Sequence, residues 1–210
     1  KTINLGLFYG MGKMKLQREL GLEKEQAREL FNEYHGRVPF VRQLSQELIA
    51  FAKENKLLFT LYDRFCRFDK WETTNKEWNN ETGRFNEVPL YTEEQAREAF
   101  KAEMLDKFKQ NKIDPNYMNY FERYYTPAFT YKALNRLIQG SSADQTKKAM
   151  VDCYAAGLTP MLTVHDELCF SIDDPEEVNT ILDIMTTCVE GLNVPFEVDA
   201  ELGDNWGQVG

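Results

Sequence analysis

Apolar residues recur three and four positions apart at two places in the first third of the chain. Residues 22–35 put Ala27, Leu30, Phe31 and Tyr34 on one stripe, which predicts an amphipathic helix ended by Gly36. Pro39 then starts a second helix whose stripe is Val41, Leu44, Leu48, Phe51 and Ala52. "KLLFTLYDRFCRFDKW" predicts two short strands around a turn near Asp63-Arg64. Residues 72–91 are polar and turn-rich, as expected of a surface insertion or mobile loop. Thr92 and Gln95 form a capping box for a helix through about Gln110. An aromatic-rich segment follows Asp114-Pro115, and then a long helix is predicted from about Pro127 to Ala156, closed by Gly157. Near the end, Asp174 caps a helix that has Pro175 at its first position and Glu176 and Glu177 in its first turn. "VPFEVDAEL" predicts a last strand. Helices dominate the early part, and helices mix with an antiparallel sheet in the late part. The expected class is α+β, a helical subdomain leading into a sheet subdomain.

Between the last two helices lies "MLTVHDELCFSI", residues 161–172. Met161, Leu162, Val164, Leu168, Cys169, Phe170 and Ile172 read as a buried β-hairpin, yet His165-Asp166-Glu167 interrupts it. Two adjacent acids in an apolar hairpin cost free energy unless something pairs with them. Side chains alternate faces along a strand, but a tight turn relaxes that rule and lets Asp166 and Glu167 approach one spot. Paired acids there suit magnesium, a hard cation that takes oxygen ligands. On its own the tripeptide also reads as a plain polar turn.

Two other segments carry candidate chemistry. "KTINLGLFYGMG", residues 1–12, reads as a helix despite its glycines. Lys1, Leu5 and Tyr9 fall at i, i+4 and i+8 on one face, and Gly6 and Gly10 lie on the adjacent stripe, where something can approach the backbone. Lysine reaches a phosphate, the middle side chain presses on a sugar or ring, and tyrosine stacks on a base. The alternative is a core helix with a small-residue groove, but each glycine costs such a helix about 1 kcal/mol against alanine. In "KALNRLIQGSSAD", Asn135 and Gln139 stand at i, i+4. Their amides suit a minor-groove contact or the holding of a strand end, or equally an interhelical hydrogen bond.

Composition narrows this picture. The chain has 210 residues, enough for one large or two small domains. Its 42% hydrophobic and 28% charged residues are ordinary for a soluble globular protein. No apolar run is long enough to span a membrane, and no secretory signal is visible. Cys66, Cys153, Cys169 and Cys188 are scattered and form no CxxC pair, so they read as small buried residues of a reducing compartment rather than as a zinc site or a disulfide framework. The expected location is the cytoplasm. The net charge of −9 opposes unaided nucleic-acid binding, so any such role must rest on local residues or on another chain.

Taken in order, these segments resemble the carboxy-terminal part of a family A DNA polymerase, the group of bacterial DNA polymerase I and phage replicases. "KTINLGLFYGMG" is similar to motif B, the nucleotide-facing fingers helix, with its K-x3-[aromatic]-G-x2-Y-G pattern. "LTVHDEL" resembles motif C, the palm hairpin. "KALNRLIQGSSAD" resembles the helix between them, and "LGDNWGQ" the closing segment. The resemblance implies a helical fingers portion at 1–126 and an antiparallel-sheet palm portion with packed helices at 127–210, together an incomplete right-hand fold. It implies Asp166 as a catalytic magnesium ligand with Glu167 in support, and His165 near the primer terminus. Lys1 would grip the incoming triphosphate and protonate the leaving pyrophosphate. Leu5 would face the nucleotide sugar and base, with Gly6 and Gly10 beside it, and Tyr9 the templating base. Asn135 and Gln139 would contact the duplex. The implied reaction is two-metal nucleotidyl transfer from dNTP to a primer on template DNA, with two magnesium ions.

Three departures qualify that expectation. Motif A, with the family's other essential aspartate, is not among these residues. Leu5 stands where the family usually has Phe or Tyr; leucine occurs there in some phage members, and with "KALN" it points to a phage-type source. The acidic balance leaves much of the DNA grip to other parts, such as a thumb. The chain begins at Lys1 and is expected to be a piece of something longer, inactive alone. A second polypeptide or an upstream region would carry motif A, the thumb and in some arrangements an exonuclease. Other readings are a non-catalytic domain packed on an intact polymerase, and a metal-dependent nuclease built on Asp166 and Glu167 with Asp199 and Glu201 as further carboxylates. A single-subunit RNA polymerase is disfavoured by Tyr9-Gly10 and "VHDE".

Overall fold

The amphipathic stripes and turn signals fold into two units in a computed structural model that describes residues 2–79, 81–108 and 117–209. The first unit takes Lys1–Phe59 and Phe65–Leu137, and the second Thr60–Arg64 and Ile138–Gly210.

In the first unit, α1 (Thr2–Phe8) and α2 (Lys13–Leu20) are short, and α3 (Lys24–Arg37) and α4 (Pro39–Asn55) are longer. Glu23 and Gln26 close a capping box at the start of α3, and Pro39 occupies the first turn of α4, where a missing N–H costs nothing. Strands β1 (Leu57–Phe59) and β2 (Phe65–Arg67) pair antiparallel, with Leu58 opposite Cys66. β3 (Trp71–Thr73) is followed by the small hairpin β4 (Trp78–Asn79) and β5 (Arg84–Phe85). Then come α5 (Glu93–Phe108), the one-turn α6 (Phe121–Tyr124) and β6 (Tyr125–Pro127), which pairs with β3. The Thr92 and Gln95 side chains each accept the other's backbone N–H, at 3.2 and 2.9 Å, as the spacing predicts. The core joins Trp71, Ala96, Phe100, Met104, Phe121 and Tyr125, with the Phe121 and Tyr125 rings stacked at 5.6 Å. A second cluster joins Ala52, Leu58, Phe68 and Ala133.

A 23-residue helix, α7 (Ala133–Ala155), carries the boundary between the units. It closes on Gly157, whose φ of +87° frees its N–H for Tyr154 O while Leu158 N–H reaches Cys153 O. The second unit continues with β7 (Pro160–Val164), β8 (Glu167–Phe170) and α8 (Glu176–Thr187), and ends in a 3-10 turn at Trp206–Gln208. Asp174 accepts the Glu176 N–H at 3.0 Å, so it caps α8 as expected. Ala149, Cys153 and Ile181 are buried here. Burial pushes the Cys153 and Cys188 thiols up, aided by the Asp152 carboxylate, and both stay protonated packing residues.

Several expectations are corrected. The first helix stops at Phe8 instead of running to residue 12, because Gly10 takes φ +88°. Gly36 does not end α3; the helix runs to Arg37 and yields at Val38, the residue before Pro39. The stretch at 72–91 carries the β4–β5 hairpin and is largely exposed, as a surface segment should be. Glu72 is buried, Tyr91 bridges to Trp71, and Trp78 packs edge-on against Phe85 at 5.0 Å. The long helix begins at Ala133, since β6 and a 3-10 turn at Thr130–Lys132 use the preceding residues. "VPFEVDAEL" forms no strand among the described residues. The hairpin at 161–172 is not buried either: Met161 is 69% and Leu162 43% exposed. β7 and β8 pair only with each other among the described residues, so no further strand extends either edge of the ladder.

Candidate functional site

The hairpin is built around a two-residue turn. Val164 pairs with Glu167, leaving His165 and Asp166 as its central residues. His165 has φ +56°, whereas Asp166 is not among the positive-φ residues. That combination suits a type II′ turn, in which glycine is normally the first central residue. A histidine held there costs on the order of 1–3 kcal/mol, and such strain concentrates at functional turns. Leu162, Val164, Glu167 and Cys169 share one face of the ladder by register, and Thr163 and Leu168 the other. His165, Asp166 and Glu167 are all exposed.

Asp166 and Glu167 offer carboxylate oxygens, the right donors for magnesium. Their number is too small. Among the described residues no three His, Cys, Asp or Glu side chains gather as a metal-binding group. Asp199 and Glu201 are exposed and form no such group with the hairpin. The described donors alone therefore do not fit a complete magnesium centre.

The other candidate face lies in the first unit, on α1. Lys1 lies outside the described residues. Leu5 is 48% exposed, while Leu7, two positions on, is buried. Tyr9 stands just past the helix, half-buried and edge-on to Phe8, and its N–H still reaches Leu5 O at 2.9 Å. Gly10 serves the helix end: its N–H reaches Leu7 O at 3.1 Å, and Met11 N–H reaches Gly6 O at 2.7 Å. This local role accounts for Gly10 without a ligand. A Cβ on Gly6 would lie 2.2 Å from the end of the flexible Met11 side chain.

Asn135 and Gln139 are both on α7, Asn135 half-buried and Gln139 exposed. The α1 residues and Asn135 belong to the first unit; Gln139 and the hairpin belong to the second. Sequence reasoning passed over one further pair. Arg64 Nε meets Asp144 Oδ1 at 2.6 Å, with the Asp144 side chain only 5% exposed. The arginine at a hairpin turn and the acid five residues after Gln139 are visible in the sequence, but no spacing rule brings them together.

The family model for DNA polymerase family A matches residues 1–85 and 79–208. A DNA-directed DNA polymerase of Pseudomonas phage M6 is 31% identical over 241 residues, covering 99% of this chain and 28% of the relative. DNA polymerase I of Borreliella burgdorferi is 27% identical over 217 residues, covering 100% of this chain and 19% of the relative. The chain thus spans under a third of the length of either. Among solved structures, the POL domain of Pol1 from M. smegmatis, in complex with DNA primer-template and dNTP, shares the fold. Its TM-score is 0.58 at 22% identity, over 93% of this chain and 28% of that one. With a family model matched along nearly its whole length and an α+β fold shared with a polymerase domain, the chain belongs to DNA polymerase family A.

Proposed function

We propose that this chain is the fingers and palm portion of a template-directed DNA polymerase that transfers a nucleotide from dNTP to a primer 3′-hydroxyl. Residues 1–126 form the fingers portion and 127–210 the palm portion. The observation that carries the reading is the strained His165-Asp166 turn, which holds an exposed carboxylate at the tip of the β7–β8 ladder. Asp166 is one carboxylate of a two-magnesium centre, and Glu167 supports it. The other essential carboxylate comes from a second polypeptide or from residues upstream. When bound, magnesium supplies charge stabilisation to the phosphoryl group.

Within this chain, Lys1 grips the triphosphate and donates a proton to the leaving pyrophosphate. Leu5 and Gly6 bound the space for the sugar and base, and Tyr9 lies against the templating base, with Gly10 shaping the turn behind it. His165 sits near the primer terminus, and Asn135 and Gln139 hold the duplex. A cytoplasmic, phage-type replication enzyme fits this reading; among the described residues no helix is long and apolar enough to cross a membrane.

Primer extension tests it. The pure 210-residue chain is expected to extend no primer, and extension is expected when a polypeptide bearing motif A is added. Because the two would share one palm sheet, their interface should bury on the order of 2,000 Å² or more. Processive synthesis by the pure chain would overturn the assignment of the site. So would failure of the two polypeptides to associate.

A further inference from the structure

The tip of the β1–β2 hairpin, Thr60–Arg64, is grouped with the second unit and docks on one stretch of α7. Besides its ion pair with Asp144, Arg64 donates from Nη2 to Gly140 O at 3.1 Å. Leu61 N–H donates to Ser141 Oγ at 3.2 Å. A Cβ on Gly140 would lie 2.8 Å from Thr60 Cγ2, so glycine is what lets Thr60 lie against the helix. The tip is itself braced. Thr60 N–H reaches Arg64 O at 2.9 Å, Asp63 sits at φ +55°, and the Tyr62 hydroxyl donates to Cys188 O at 3.2 Å.

The three helix partners, Gly140, Ser141 and Asp144, occupy the turn that begins immediately after Gln139. A planar guanidinium bonded at once to a helix carbonyl and to a buried carboxylate fixes both the rotation and the axial position of that turn. The second Asp144 oxygen, Oδ2, is buried and takes no hydrogen bond among the described residues, so the Arg64 contact is what offsets the burial of this carboxylate.

We propose that Arg64 and Asp144 are positioning residues that set the place of Gln139, and through it the hold on the primer end of the duplex. The inference rests on the polymerase reading above. It also gives the glycine and the aspartate of "QGSSAD" a shared purpose, the seating of the hairpin tip.

The test is a double-mutant cycle in the complete polymerase, with Arg64→Ala, Gln139→Ala and the double variant. The readouts are primer–template affinity by fluorescence anisotropy, KM for primer–template and KM for dNTP. Each single variant should weaken primer–template binding about tenfold and leave the dNTP KM unchanged. The double variant should be no worse than Gln139→Ala, because the clamp acts through that side chain. Arg64→Lys, which keeps the charge but not the planar fork, should fall between parent and Arg64→Ala. If Arg64→Ala does not fold, Arg64→Gln with Asp144→Asn replaces it; this pair keeps hydrogen bonding without a buried lone charge. Additive losses would overturn the proposal, as would a lowered melting temperature with unchanged DNA affinity. A parent enzyme that binds primer–template but extends nothing would defeat the polymerase reading alone, since the coupling is still read from affinity. A parent that binds no primer–template would overturn both.

Discussion

The two units differ in where large aromatic side chains gather into a core. In the first, Trp71, Phe100, Phe121 and Tyr125 are buried against one another, and Arg97 lies over the Phe121 ring at 4.6 Å. In the second, Tyr154, Met161, Leu162 and Trp206 are exposed, and the acidic hairpin is held mainly by its own ladder and turn. Aromatic burial and ring pairing make a unit that resists loss of any one polar contact. A lone two-stranded ladder contributes little by packing. It does hold its turn residues at a defined place, and it leaves Asp166 where a ligand can reach it. The aromatic cluster and the hairpin carboxylates therefore lie apart in sequence, and substitutions at the two should differ in kind.

The widest expected separation is at the hairpin. Asp166→Asn should reduce synthesis by the complete polymerase about a thousandfold or more, because on the proposed reading one negative magnesium ligand is lost where transition-state charge is greatest. Its thermal unfolding should match the parent's, since Asp166 is exposed. Glu167→Gln should be milder. If Glu167→Gln were the more damaging, the two roles would have to be exchanged.

Phe121→Ala should show the opposite character. It removes a buried ring from the aromatic cluster and should cost about 3–5 kcal/mol in urea unfolding. A loss below about 1 kcal/mol would mean that this cluster does not hold the first unit together.

Leu5 tests whether α1 faces a nucleotide. Its side chain offers no hydroxyl in place of a missing sugar 3′-hydroxyl, so the parent polymerase should reject dideoxynucleotides. Leu5→Tyr should relax that rejection about tenfold, by the worth of one hydrogen bond. Leu5→Phe should raise the incorporation rate through a broader planar contact. Steady-state incorporation of matched deoxy and dideoxy substrates reads both. Equal discrimination by parent and Leu5→Tyr would remove α1 from the nucleotide site.

The smallest effect is structural. Thr92→Ala removes one half of the α5 capping box and should lower stability by about 1 kcal/mol with no change in synthesis. A change in dNTP KM from this variant would show that the first unit's packing and the chemistry are coupled after all.

Features that depend on neighbours in sequence were legible in the amino acids alone. The capping box at Thr92 and Gln95, the stop at Gly157, the Asp63-Arg64 turn and the Asp174 cap all follow from spacing within a few residues. So do the ordered motifs that place the chain in its family, because each motif is a local pattern on one element. What the sequence could not show was how far each pattern runs and what it meets. Gly36 continues its helix because Pro39, two residues beyond Arg37, already sets the stop. The polar stretch at 72–91 is tied into the core by Trp71 and Tyr91, whose pairing across a distance of 20 residues no local period encodes. The apolar run at 161–172 reads as buried, yet burial is decided by what lies on either side of a sheet, and here Met161 and Leu162 face outward. The Arg64–Asp144 pair is the plainest case. Two charged residues 80 positions apart carry no shared period, and only the fold brings them within 2.6 Å.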